Sequence, residues 1–328
     1  MVDGRWLPTS DSGGGAALDP GEVGRLAHSV RGRVREHVPL GPLTTFCIGG
    51  PARVLVEPAD EGDVVAVLSF CRSTGAALYV LGGGSNVLVP DEGVEGIVLR
   101  MAGALEGLSF EDGLIVAEAG VDDGRLSEFA AERHVSGLEW IFDIPGTVGG
   151  AVYMNAGNND GEMKNGLERV RWVEPDGRIV ESGGDGLEMG YRATRFQRQP
   201  GIVVRCWVRP AGQDSRDAIR GRMEAIRDLR RQKFPEEKRC AGSVFKRPPG
   251  HFAGRLIEEA GCGGMRVGGA VVSPKHKGFI VNTGGATARD VLQLIELVRA
   301  AVLANSGVRL ETEVLDFGRL RFPVPQGR

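Results

Sequence analysis

Cysteine is scarce and unpaired in this sequence: Cys47, Cys71, Cys206, Cys240 and Cys262 make five, and none forms a Cys-x-x-Cys spacing. An odd count without paired spacing argues against a disulfide framework, a zinc ribbon or an iron–sulfur site, and no metal is expected. Reduced thiols in a cytoplasmic protein are the expectation. A basic excess is missing too. The formal net charge is -3, so the molecule as a whole carries no nucleic-acid footprint. The N-terminus has no apolar signal core. No stretch reaches the roughly 18 apolar residues that a membrane span needs.

Glycine is what the chain has in excess, 51 residues in 328. They follow no period, which excludes a collagen-like chain. Many fall in doublets and triplets beside apolar runs. Glycine costs backbone entropy on ordering but lets a backbone approach a ligand closely. A glycine-rich globular chain therefore points to a large phosphate-bearing ligand. Hydrophobic residues at 41% and charged residues at 25% are ordinary for such a chain. The length is enough for two or three domains.

Local patterns divide the chain into five segments. Residues 1–25, polar and small at the start, read as a disordered extension. Residues 26–81 read as a strand–helix–strand unit. Its helix starts at Asp60 as N-cap and stops at Gly75. Residues 82–212 carry short β-type runs separated by turns, with one amphipathic helix near 125–133. Residues 213–320 hold a charged helix over 217–231 and a second helix. The second opens on the capping-box pattern Thr287-Ala288-Arg289-Asp290. A strand over 309–317 and a tail over 321–328 complete the chain. The pattern is α+β, not an alternating doubly wound one.

Two glycine loops stand out. Gly82-Gly83-Gly84-Ser85-Asn86 follows an apolar strand, so successive N–H groups and two polar side chains can face an anion. It lacks a P-loop lysine and the third Rossmann glycine. A tight structural turn explains it equally well. The second loop, Pro145-Gly146-Thr147-Val148-Gly149-Gly150-Ala151, leads to Asn155-Ala156-Gly157. Together they favour a ligand with two phosphates, such as FAD or a nucleotide sugar.

These loops sit within a longer series. Thr44–Gly50, Gly82–Val89, Ile144–Gly157 and Gly190-Tyr191-Arg192-Ala193-Thr194-Arg195-Phe196 come first. Ala241-Gly242-Ser243-Val244-Phe245-Lys246, Ala253–Gly261, Gly268-Gly269-Ala270, Phe279–Asn282 and Leu310-Glu311-Thr312-Glu313-Val314 follow. In this order, over residues 40–318, the series resembles the MurB family of flavin-dependent reductases. The resemblance implies an FAD-binding domain pair of the vanillyl-alcohol-oxidase-like type and a C-terminal α+β substrate domain. It implies NADPH-dependent conversion of UDP-N-acetylglucosamine enolpyruvate to UDP-N-acetylmuramate, in peptidoglycan precursor synthesis, by a cytoplasmic monomer. None of the five histidines lies in either glycine loop, so the FAD is expected to be non-covalent.

The resemblance also implies residue roles. Ser243 matches the family's proton donor, although a serine turn would be the ordinary reading without that pattern. Arg192 matches the group that grips the substrate carboxylate, and its planar fork suits the task. Glu313 matches the second acid, with Glu311 as the alternative two residues away. A hydrogen-bond-donating role for Glu313 would need its proton retained by partial burial. Tyr191, Lys233 and His276 match substrate-binding positions, Lys233 near the diphosphate within a basic run that includes Lys238. Gly82, Gly83, Gly84, Ser85, Asn86, Gly146, Thr147, Gly149, Gly150, Ala151 and Asn155 match the FAD-binding loops. The chain departs from the family pattern at Asn158-Asn159-Asp160-Gly161 and at Arg247-Pro248-Pro249. It also lacks the tyrosine-bearing insertion of the longer branch.

Overall fold

The structure is a computed structural model and describes residues 18–235 and 239–325. Helical structure falls within residues 1–25, which were expected to be disordered. Asp19 and Glu22 form a reciprocal capping box, and Pro20 opens helix α1, Pro20–Ser29. Leu18, Val23 and Leu26 are buried in the core. Residues 18–25 therefore do not belong to a disordered extension. Residues 1–17, Lys238 and residues 326–328 lie outside the described residues.

The first sheet is built from β1 (Arg33–Pro39), β2 (Pro51–Glu57), β3 (Leu78–Leu81) and β5 (Val94–Arg100), with short β4 (Val87–Leu88) lying outside it. Its strand order is β1-β2-β5-β3-β17, where β17 is Arg321–Phe322. The two inner pairings with β5 are parallel and the outer two antiparallel. Helix α2, Glu61–Thr74, connects β2 to β3. Asp60 caps it and Gly75 ends it at φ 76°. Val54 and Val56 pack beneath α1 and α2, while Ala52 and Leu55 face a second cluster with Tyr79 and Phe317. Burial on both faces suits the near-continuous apolar run of β2.

Two boundaries shift as a result. β5 inserts between β2 and β3, so the first unit does not end at residue 81. The tail contributes β17, where Arg321 and Phe322 pair with Tyr79 and Leu78. Both pairings join residues far apart in sequence, which local patterns do not encode.

A second sheet, antiparallel in the order β10-β9-β11-β7-β6, forms the next layer. Its strands are β6 (Leu108–Glu111), β7 (Leu114–Glu118), β9 (Leu167–Val173), β10 (Ile179–Gly183) and β11 (Ile202–Val208). Helices α3 (Asp123–Glu132) and α4 (Val148–Met154) fall between β7 and β9, and a small β8 (Val135–Ser136) pairs with β12 (Gly212–Gln213). One apolar cluster runs from α2 through β5 to Trp172 and Cys206, so both sheets share a core.

The remaining chain starts with helix α5 (Arg216–Lys233). Then α6 (Ala253–Glu259) and the hairpin strands β13 (Arg266–Val267), β14 (Ala270–Val272) and β15 (Ile280–Asn282) pack on α7 (Ala288–Ser306). Thr287 and Asp290 form the expected capping box. The strand expected over 309–317 shrinks to β16, Leu315–Asp316, which pairs with β4. Preceding residues cross the 244–246 segment through single bonds, Glu313 N to Val244 O at 2.8 Å and Lys246 N to Glu311 O at 2.9 Å.

Polar ties lock this last unit onto the first. The Asp91 carboxylate accepts from Ala288 N at 2.7 Å and Arg289 N at 3.1 Å, adding a cap to α7. Asn282 Nδ2 donates to Phe46 O at 3.0 Å. Asn86 Nδ2 donates to Glu313 O at 3.1 Å, and Leu315 N to Asn86 O at 3.0 Å.

Candidate active site

Between these units lies a cleft of about 1750 Å³. Its floor is made by the two glycine segments, one following β3 and the other, expected as a loop, running through the N-cap Thr147 into the first turn of α4. The loops interlock with the 43–45 segment. Gly84 adopts φ 63°, a Cβ there would stand 2.4 Å from Leu43 O, and its carbonyl accepts from Thr45 N at 3.1 Å. Only glycine meets both demands. No backbone bond from the N–H groups of Gly82 to Asn86 to another loop residue occurs among the described residues.

Three buried oxygens lining the same end have no protein partner: Thr45 Oγ1, Asp123 Oδ1 and Thr147 Oγ1. Buried polar groups are ordinarily paired, so such a cluster fits a polar ligand. Thr147 is the N-cap residue of α4, yet its hydroxyl makes no cap bond. Together, free amides and unpaired hydroxyls suit a diphosphate.

The loop residues divide by role. Gly82, Gly83, Gly84, Ser85, Gly146, Thr147, Gly150 and Ala151 line the cleft. So does Gly149, but its N–H donates to Ala119 O at 2.9 Å and a Cβ there would lie 2.8 Å from Ala119 Cβ. Close packing explains that glycine. Asn86 spends its side-chain donor on Glu313. Asn155 is a correction. Its side chain is fully buried, off the cleft, and consumed by the protein. Nδ2 donates to Glu162 at 2.8 Å and Gly190 O at 2.9 Å, while Oδ1 accepts from Lys164 N. Asn155 also adopts φ 43°, a conformation Asn tolerates. It holds the 190–193 turn against α4. Asn155→Ala is therefore expected to destabilise the fold by about 2–4 kcal/mol, read as the shift in a urea unfolding curve. A shift below about 0.5 kcal/mol would contradict this role.

At the other end, Arg192 and Glu313 meet. Arg192 Nε donates to Glu313 Oε1 at 2.6 Å, and Nη2 donates to Gly157 O at 2.9 Å. Their side chains are 21% and 12% exposed. Arg192 sits at φ 52°, inside a turn closed by the bridge of Gly190 to Ala193. The expected two-pronged grip is thus partly used on the protein, and Nη1 is the nitrogen left for a ligand. Glu313 accepts here, with Oε2 remaining. Glu311 lies off the cleft, 78% exposed, near Lys246.

Ser243 follows Gly242 at φ 70°. The next residue is clamped on both sides, Val244 N to Gly278 O at 2.8 Å and Val244 O to Glu313 N at 2.8 Å. This carries the serine into the cleft beside Glu313. His276 lies close by. A Cβ on Gly278 would be 3.0 Å from His276 Cε1 and 3.8 Å from Ser243 Oγ. The imidazole packs on Phe234 and Phe279, and its Nδ1 accepts from Gly278 N at 3.2 Å. Burial first, then Lys277, pushes its pKa down. A neutral ring with Nδ1 accepting carries its proton on Nε2.

Tyr191 is 55% exposed at the mouth, where its hydroxyl accepts from Arg247 N at 3.3 Å. Arg247 also stacks over Phe252 at 4.7 Å. Lys233 does not reach the cleft. It ends α5 facing solvent, whereas Arg227, Arg230, Arg231 and Phe234 line the cleft at helical spacing. Arg227, Arg230 and Arg231 are the cations that α5 brings to the cleft, Arg230 held by Asp143 at 2.8 Å. At the departure after Gly157, Asn158 Oδ1 accepts from Asp160 N and Gly161 N, an Asx turn that needs no aromatic.

Residues 234–315 match the C-terminal domain of UDP-N-acetylenolpyruvoylglucosamine reductase, and residues 52–183 match an FAD binding domain. The chain is 42% identical to the UDP-N-acetylenolpyruvoylglucosamine reductase of Syntrophomonas wolfei, across 86% of this chain and 94% of that one. This chain belongs to the UDP-N-acetylenolpyruvoylglucosamine reductase family. Another family member, from Anaeromyxobacter sp. strain K, is 43% identical over 88% of this chain and 87% of its own. The crystal structure of the Thermus caldophilus reductase superimposes with a TM-score of 0.75 at 38% identity, over 87% of this chain and 99% of that one. The α+β fold with its FAD-binding and reductase C-terminal domains follows from these matches.

Sequence reasoning missed Thr45, Asp123 and Arg230 as cleft residues. Thr45 lay inside a quoted motif without a role. Asp123 reads as an ordinary first-turn acid. No helix among the described residues is long and apolar enough to cross a membrane.

Proposed function

We propose that this chain reduces the enolpyruvyl double bond of UDP-N-acetylglucosamine enolpyruvate, giving UDP-N-acetylmuramate for peptidoglycan precursor synthesis. Non-covalent FAD is its cofactor and NADPH its electron donor. The observation that carries this reading is the Arg192–Glu313 pair, hydrogen-bonded through Val244 to the segment bearing Ser243. It stands in one cleft with unpartnered Thr45, Asp123 and Thr147.

FAD, when bound, supplies the hydride for the substrate's β carbon, drawn from NADPH. Its diphosphate belongs with the two glycine loops. The protein's residues provide the rest. Arg192 holds the substrate carboxylate, where negative charge spreads as the β carbon gains hydride. Ser243 Oγ–H gives the α carbon its proton. His276, Arg230 and Arg231 meet the uridine diphosphate end. Glu313 anchors Arg192 and offers its second oxygen to the reacting centre. None of the histidines lies in either glycine loop, which supports a flavin that is not tethered. No disulfide joins the described cysteines, which suits a reducing cytoplasm.

The test joins two readouts. NADPH is consumed only when the enolpyruvyl nucleotide is present, with UDP-N-acetylmuramate detected by mass. Acid precipitation leaves the flavin in the supernatant. Nucleotide-independent NADPH consumption, or colour retained in the pellet, contradicts the reading.

A further inference from the structure

Asp123 opens α3 and is 1% exposed, yet its Oδ1 has no hydrogen-bond partner. It is not needed as a helix cap, because Asp122 already accepts from Arg125 N at 3.1 Å. Its carboxyl lies between the two glycine loops. A Cβ on Gly146 would stand 2.6 Å from Asp123 Oδ2 and 3.4 Å from Ser85 Oγ. A bridge between Asp122 and Thr147 brings the unpartnered Thr147 hydroxyl alongside. A glycine at 146 leaves room for the acid, and nothing in the protein uses it.

The neighbouring charges make ionisation costly. Asp122 is the preceding residue, and the buried thiol of Cys206 on β11 lies within reach of the carboxyl's charge. Glu139, from the turn after β8, is bound by Arg222 of α5. Arg220 and Arg227 of α5 are directed to Glu128 and Glu224. Among the described residues, no cation acts on Asp123. Burial first, then Asp122, pushes its pKa well above the carboxylate range. A buried carboxyl without a cation keeps its proton, and so keeps an O–H donor to offer.

We propose that Asp123 is a cofactor-binding residue that works in its neutral form, its O–H donating to an oxygen of the FAD diphosphate. This rests on the reading that the diphosphate lies between the glycine loops. An ionised carboxylate in this place would repel the phosphates. A protonated one gives them a donor beside the Thr147 hydroxyl, and binding relieves the donor left unmet in the flavin-free protein.

The experiment strips the flavin and titrates the apoprotein with FAD by fluorescence. Asp123→Ala raises the Kd by about 10- to 100-fold, equal to about 1.4–2.7 kcal/mol. Asp123→Asn keeps a donor without a charge and stays within about threefold. In the wild type, raising the pH weakens binding as the carboxyl ionises, while Asp123→Asn lacks that component. This arm stands even if the alanine variant fails to fold. ADP, which carries the diphosphate, loses affinity to Asp123→Ala, and riboflavin does not.

Wild-type affinity in Asp123→Ala, identical pH profiles for wild type and Asp123→Asn, or an equal loss for riboflavin each overturn the inference. A wild-type apoprotein that takes up no FAD overturns the functional reading beneath it.

Discussion

Replacing Ser243 with alanine slows turnover of the enolpyruvyl nucleotide by about 10²–10⁴-fold, while NADPH still bleaches the flavin at the wild-type rate. The size follows from what a positioned acid contributes to proton transfer. Hydride arriving at the β carbon leaves charge at the α carbon and its carboxylate, and a proton must meet it there. A serine is a weak acid in water. In this cleft it precedes Val244, whose backbone bonds to Gly278 and to Glu313, the partner of Arg192. That setting favours its proton only as the carbanion develops. Since Ser243 plays no part in delivering electrons from NADPH, stopped-flow traces should separate the two halves. An equal slowing of both halves would show that the residue supports flavin binding instead.

Arg192→Ala is expected to lower kcat/KM for the nucleotide by about 10²–10³-fold. Both kcat and KM contribute, because the arginine meets the carboxylate in the ground state and more strongly as charge accumulates. Arg192→Lys recovers only part of the loss. A lysine has one nitrogen to divide between Glu313, Gly157 and the substrate, where the guanidinium has three. Removing the arginine also leaves a carboxylate 12% exposed without its cation, so a lower unfolding midpoint accompanies the kinetic defect. A pure KM effect with wild-type kcat would restrict Arg192 to simple binding.

The helix ends were legible because their signals are local. Asp60 and Gly75 bound α2, and Thr287 with Asp290 opens α7, since caps are written within one helical turn. Ser243, Arg192 and Glu313 carried recognisable surroundings, and the fold brings the last two within 2.6 Å. What escaped depends on distant partners. β17 finds β3 across more than two hundred positions, and β5 slips between β2 and β3. Asn155 matched an FAD-binding position of the family, but its Nδ2 donates to Glu162 and Gly190 and its Oδ1 accepts from Lys164. Lys233 points away from the cleft at its angle on α5, whereas Arg227, Arg230 and Arg231 line it. Asp123 was invisible for the opposite reason. An acid in a first helical turn is ordinary until burial and missing partners mark it out.

The most direct measurement is an anaerobic absorption spectrum of the purified protein, taken before and after NADPH and again after the enolpyruvyl nucleotide. A yellow protein that NADPH bleaches and the nucleotide restores, one equivalent of each per flavin, is the predicted result. A colourless protein that FAD cannot reconstitute, or a bleached one whose colour the nucleotide leaves unchanged, would contradict the account.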